Sequence, residues 1–100
     1  MFRRIYAKGK SAATSHMVLY CRKNGSQRNR LGITASTKLG NAVTRNRVRR
    51  RLREIYRTNE AKFLPGCDLI VVARHRSVEA QYKVLERDFL SLAGKLGVLR

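Results

Sequence analysis

The stretch "DLIVVAR", Asp68–Arg74, limits what this chain can fold into more than any other. Leu69 to Ala73 are apolar without interruption, and Ile70, Val71 and Val72 are β-branched. Pro65-Gly66 precedes the run with turn chemistry and "RHRS" ends it. A short run that is apolar on both alternating faces reads as a strand buried on both sides. Such a strand belongs in the interior of a sheet, and the rest of the chain must arrange itself around it. One hundred residues, 43% of them hydrophobic, can bury one small core, which predicts a single domain over residues 1–100.

The remaining segments supply the partners. His16–Lys23 alternates and is rich in strand formers, and Leu31–Ser36 reads as a second strand. "NGSQRN", Asn24–Asn29, lies between them, so the two are expected to form a hairpin with a loose basic loop. Phe2, Ile5 and Tyr6 stand at helical spacing in Phe2–Lys8, and "GKSAATSH" breaks that helix. Lys38–Asn41 is expected to be a short extended connection. A helix follows from about Ala42 to Arg57. Ser77 is expected to cap a last helix carrying Tyr82, Leu85, Phe89, Leu92 and Leu96 as a core stripe. Helices with a mostly antiparallel sheet predict an α+β sandwich.

"NAVTRNRVRRRLREIYR", residues 41–57, holds seven arginines and one acid, Glu54. With successive residues ~100° apart, Val48, Leu52 and Ile55 fall on one side and Tyr56 at its edge. Arg45 and Arg51 flank that stripe. Asn46, Arg49, Arg50, Arg53 and Arg57 gather on the opposite side, with Arg47 and Glu54 beside them. One face is core and the other is a basic comb. A solvated helix face usually mixes signs to gain i,i+4 pairs; here the arginines repel one another unless an anion offsets them. The guanidinium fork suits bidentate phosphate contacts, and Asn46 can read a base edge or a ribose hydroxyl.

The whole chain repeats that imbalance, with 23 Lys+Arg against 6 Asp+Glu and a formal charge of +17. A field of this sign attracts polyanions. No carboxylate cluster offers a metal site, and His16 and His75 have no ligand-spaced companion in sequence. No Gly-rich phosphate loop is present and no nucleophile stands beside a base. The expectation is a nucleic-acid binder with neither catalytic nor metal-ligating residues of its own. No apolar run approaches the ~20 residues of a membrane span, and the N-terminus has too few apolar positions for a signal-peptide core. A strand follows the basic helix, so no DNA-reading helix-turn-helix is formed. Cys21 and Cys67 belong to no CxxC pair and are expected to be free thiols in a reducing cytoplasm.

The segment Lys38 through Glu54 resembles the signature of the protein subunit of bacterial ribonuclease P, K-x-G-N-A-V-x-R-N-R-x-[RK]-R-x-x-R-E, centred on Arg45-Asn46-Arg47. "FRRIYAKGKSAA", "MVLY" and "DLIVVAR" resemble that family's first helix, first strand and last strand. The resemblance implies a two-layer α/β sandwich of order αβββαβα, related to a domain of a small-subunit ribosomal protein. Its four-stranded mixed sheet would contain a left-handed βαβ crossover. It implies as partners a catalytic RNA, which with Mg2+ bound mainly to that RNA removes the 5′ leader, and precursor tRNA. The protein would be an accessory subunit of that endoribonuclease. By position, Arg45, Asn46, Arg47, Arg50 and Arg53 would contact the catalytic RNA, with Lys38 and Asn41 nearby and Arg49 and Arg57 completing the comb. A second surface would hold the leader with Phe2, Tyr6, Val18 and Tyr20. Taken alone, Phe2 and Tyr6 also fit ordinary i,i+4 packing, and Tyr20 suits a core edge as well as an exposed platform. Thr37-Lys38 stands where relatives often carry two basic residues. Relatives usually carry a basic segment ahead of the position of Phe2, so the first helix is expected to be short here.

Overall fold

The computed structural model describes residues 9–100. The helix expected over Phe2–Lys8 lies outside them. Within the described residues four strands are formed: β1 (Lys10–Ala13), β2 (Met17–Lys23), β3 (Arg30–Thr34) and β4 (Cys67–Ala73). Two helices follow the arginine and leucine patterns: α1 (Ala42–Asn59) and α2 (Tyr82–Lys95). The sheet order is β1-β2-β4-β3. β4 is antiparallel to β2 and parallel to β3, so the sheet is mixed and α1 makes the crossover between parallel neighbours. The α+β class, the four-stranded mixed sheet and the order βββαβα over the described residues are as expected.

β4 sits inside the sheet because its side chains demand cover on both faces. Leu69, Ile70 and Val71 are essentially inaccessible. That demand overturns the expected hairpin, since β4 enters between β2 and β3 and keeps them apart. The polar residues Asn24–Asn29 do not close a turn; they bridge over the start of β4. The Asn24 backbone N–H donates to Gly66 O at 2.9 Å, and Asn29 Oδ1 accepts from the Cys67 backbone N–H at 2.8 Å. Gly66, at φ +91°, permits this approach, because a Cβ there would stand 2.7 Å from Ser26 O. β1, inside the stretch read as a helix breaker, pairs with the outer edge of β2, Ala12 opposite Leu19.

Alternation along β2 directs Met17, Leu19 and Cys21 toward the helices and Val18, Tyr20 and Arg22 to the other face. Both helices lie on the first face. From α1 come Val48, Leu52, Ile55 and Tyr56; from α2 come Leu85, Phe89, Leu92 and Ala93. Tyr56, Phe63 and Phe89 meet in an aromatic cluster, with centroids 5.3 Å apart for Tyr56–Phe63 and 5.5 Å for Phe63–Phe89. Asn59, buried at the end of α1, donates to Ile55 O and to Glu86 Oε2, tying the two helices together.

Three local expectations are corrected. Thr37–Leu39 is a 3-10 turn rather than an extended connection, with Leu39 buried beneath it. Ser77 does not cap α2. It is fully buried in a 3-10 turn, His75–Val78, with its hydroxyl donating to Arg74 O at 2.7 Å, and α2 starts after Gln81. Leu96 lies just past the end of α2, so the helical stripe is completed by Ala93.

Candidate nucleic-acid interface

α1 begins at a defined cap: Asn41 Oδ1 accepts from the Thr44 amide at 2.9 Å. From that start the 3.6-residue repeat fixes where each arginine goes. Arg45 and Arg49 turn back to the Ala35 carbonyl, each at 3.3 Å. Arg47 donates to Val78 O at 3.1 Å and Arg51 to Ala80 O at 2.8 Å, which anchors the loop after β4. Arg49 also donates to Asn46 Oδ1 at 3.0 Å, and the Asn46 Nδ2 makes no hydrogen bond to the described residues. Arg57 is paired with Glu54, Nε to Oε2 at 3.0 Å, and this hydrogen bond lowers the Glu54 carboxyl below its ordinary range. Arg50 and Arg53 are exposed and make no hydrogen bond or ion pair with the described residues. Lys38, on the 3-10 turn ahead of the cap, is also exposed.

The comb is therefore graded. Its margins are spent on carbonyls that hold the fold together, and its centre is uncompensated. Val43, 76% exposed at the first turn, adds an apolar spot beside it.

The face of the sheet away from the helices is organised by register. Val18, Val72 and Thr34 form one row across β2, β4 and β3. Ser11, Tyr20, Ile70 and Gly32 form the next, and Arg22, Asp68 and Arg30 the third. Val18 and Tyr20 are half-buried. Phe2 and Tyr6, expected to share this surface, lie outside the described residues.

His16 and His75, remote from each other in sequence, line one small cleft with Arg76 and Glu79. His16 is satisfied, its Nδ1 standing 2.6 Å from Asp88 Oδ2. Cys21 and Cys67 are free and buried on adjacent strands. Burial pushes both thiols above their ordinary range, which suits core residues better than nucleophiles. Among the described residues no group of three or more His, Cys, Asp or Glu could hold a metal ion. No helix there is long and apolar enough to cross a membrane.

The family model for ribonuclease P matches residues 1–97. The chain belongs to the ribonuclease P protein family. The protein component from Natranaerobius thermophilus is 43% identical over 99 residues, covering 99% of this chain and 86% of that one. The Clostridioides difficile protein component is 41% identical over 98 residues, covering 97% and 86%. The Staphylococcus aureus RNase P protein structure superposes with a TM-score of 0.89 at 34% identity, covering 99% of this chain and 91% of that one.

Within this ribonuclease P protein, the motif from Lys38 to Glu54 covers the 3-10 turn, the cap and most of α1. Its residues divide by task. Val48 and Leu52 are core, Asn41 is the cap, and Arg45, Arg47 and Arg49 reach backbone carbonyls with exposed or half-exposed side chains. Arg50 and Arg53 project outward. The row Arg22–Asp68–Arg30 was not among the expected site residues. Nothing in the local sequence joins three residues from three strands; only the register does.

Proposed function

We infer that the chain serves as the protein component of ribonuclease P, an endoribonuclease complex of tRNA processing, with an RNA subunit as partner. We propose that the outer face of α1 binds that catalytic RNA while the sheet face away from α1 and α2 holds the 5′ leader of precursor tRNA. The observation that carries this reading is the pair Arg50 and Arg53: two exposed guanidinium groups, unmatched by the described residues, at the centre of the family motif. Phosphates offset such charges at short range. Arg45, Asn46, Arg47 and Arg49, with Lys38 in front, extend the contact along the helix. Arg57 joins at the far end, its charge shared with Glu54.

The chemistry of that face suits a single strand. Val18 and Tyr20 give an apolar and aromatic floor beside Arg22, and unpaired bases stack on aromatics beside basic groups. Phe2 and Tyr6 are assigned to the same surface from the family resemblance.

Chemistry is assigned to the RNA and its Mg2+ ions. The described residues offer no carboxylate cradle for a divalent cation, so no step is assigned to a protein-held metal. The protein's part is to bind, to orient the leader and to offset phosphate repulsion between two RNAs. We place this work in the cytoplasm, with both buried thiols reduced, and assign no membrane or DNA partner.

The deciding experiment is reconstitution with a bacterial catalytic RNA, assayed on precursor tRNA across a magnesium series. The protein is expected to lower the magnesium needed for leader removal and to cut nothing when alone. An unchanged magnesium requirement, or cleavage by RNA-free protein at a normal turnover, overturns the assignment.

A further inference from the structure

We propose that the row Arg22–Asp68–Arg30 is a second nucleotide subsite on the sheet face away from α1 and α2, holding the leader nucleotide next to the one at Tyr20. The proposal rests on the reading of that face as the leader surface.

The register provides the spacing. Arg22 is two residues beyond Tyr20 on β2, Asp68 is two before Ile70 on β4, and Arg30 is two before Gly32 on β3. Adjacent rows are thus about 6.5–7 Å apart, close to the phosphate step of an extended, unstacked strand. A strand with one base at the Tyr20 row therefore presents its neighbour to the arginine row.

The chemistry of the row is divided among its members. Asp68 is 4% exposed, yet its two oxygens receive three donors. Arg30 Nε reaches Oδ1 at 2.8 Å, Arg30 Nη2 reaches Oδ2 at 2.9 Å, and Asn24 Nδ2 reaches Oδ1 at 3.0 Å. A carboxylate so occupied is not a base reader. It is a positioning residue, fixing the Arg30 guanidinium through both nitrogens of one edge. The Arg30 side chain is nevertheless 61% exposed, so the fixed group stays accessible. Guanidinium planes are stacking surfaces for unpaired bases. Arg22 stands opposite Asp68 on the other neighbouring strand and makes no hydrogen bond to the described residues. With Asp68 matched by Arg30, the row carries one net positive charge, placed at Arg22 for a phosphate. The row thus pairs a flat plate with a cation that makes no hydrogen bond to the described residues, the two features that single-strand grooves combine.

The test uses reconstituted holoenzyme and precursor tRNAs whose leaders grow one nucleotide at a time, with mature tRNA as reference. Wild-type affinity is expected to rise in two separate steps as successive nucleotides reach the two rows. Tyr20→Ala removes the first step. Arg22→Ala removes the second, about fivefold or more. Arg30→Ala leaves a buried carboxylate unmatched, so Arg30→Lys is the variant of choice; it keeps an ion pair and removes the plate. Folded Arg30→Lys protein that lacks the second step supports stacking on Arg30. If the second step survives in Arg22→Ala and in Arg30→Lys while Tyr20→Ala loses the first, the row is only a staple between β3 and β4. The subsite is then overturned and the leader surface stands. If wild-type affinity does not depend on leader length at all, the leader reading itself falls, and the subsite with it.

Discussion

α1 and α2 lie on the same face of the same sheet and bury similar stripes, yet their outer faces differ in kind. α2 mixes signs, and its acids are used internally: Glu86 accepts from Asn59 of α1, and Asp88 holds His16 at the start of β2. On α1 the one acid, Glu54, is matched by Arg57, and Arg50 and Arg53 have no counterpart among the described residues. Four of the chain's six acids, Glu54, Asp68, Glu86 and Asp88, are committed to partners within the fold. A net charge of +17 is therefore not spread evenly. Asp68, Glu86 and Asp88 are spent where elements must be joined, Glu54 pairs within its own helix, and α1 keeps seven arginines against that one acid. Packing faces are set by the sheet, so they converge; outer faces are set by what each helix meets.

The inner faces should therefore respond alike to truncation. Phe89→Ala on α2 is expected to cost about 3–5 kcal/mol, and Leu52→Ala on α1 about 2–5 kcal/mol. Urea midpoints at unchanged m-values measure both. A Leu52→Ala cost well below that of other buried leucines would mean that α1 is held mainly by its arginine–carbonyl contacts, and the parallel between the helices would fail.

The outer faces should respond differently. Arg50→Ala and Arg53→Ala are each expected to lower the salt slope of catalytic-RNA binding by about one unit. Arg87→Ala, on the exposed side of α2, should leave the slope unchanged. Equal slopes for Arg50→Ala and Arg87→Ala would show that the charge acts as a diffuse field rather than through α1.

A smaller effect separates acids that join elements from an acid on the surface. Burial of Asp68 works against its ionisation, but hydrogen bonds from Arg30 and Asn24, with the charges of Arg30 and Arg22, outweigh it and lower its carboxyl. An unfolded Asp titrates near ~3.9. Asp68 thus stabilises the fold above that value, and the contribution is lost as pH falls through its lower folded value. Asp68→Asn should flatten the acid limb of the stability profile below about pH 4. Glu54→Gln, whose partner is a solvent-exposed arginine, should change that limb little in 0.5 M salt, where screening is strong. Identical acid limbs for the two variants would erase the distinction.

Much of this was legible in the sequence because periodicity reports burial. Asp68–Arg74 announced an interior strand, and the stripes of α1 and α2 announced which residues meet the sheet. Pairing was not legible. A hairpin is a local inference, and the six residues Asn24–Asn29 read as a turn whether or not another strand lies beneath them. What decided the order was β4's need for cover on both faces, a property of the assembled sheet. Ser77 failed as a cap for a related reason: its hydroxyl has a nearer carbonyl, Arg74 O, once the chain enters a 3-10 turn. The comb was legible as a face, but not its grading, since Ala35, Val78 and Ala80 reach the arginines only through tertiary structure. The row Arg22–Asp68–Arg30 was invisible for the same reason.

Asn41 gives the finest test of how α1 divides fold from function. The motif places it beside the residues proposed to contact RNA, whereas the structure uses its Oδ1 to cap the helix. The two roles predict different signatures. Asn41→Ala should cost about 1 kcal/mol of stability through the lost cap, and a cap alone leaves the RNA salt slope as it was. Asn41→Asp keeps the cap acceptor and favours the helix dipole, so stability should hold. The same change puts a negative charge one turn from Arg45, where RNA phosphates would be close. A capping residue within reach of RNA should therefore give a stable Asn41→Asp protein with weakened catalytic-RNA affinity, the reverse of Asn41→Ala. Should both variants bind RNA as wild type does, Asn41 serves the helix alone, and the contact surface begins at Arg45.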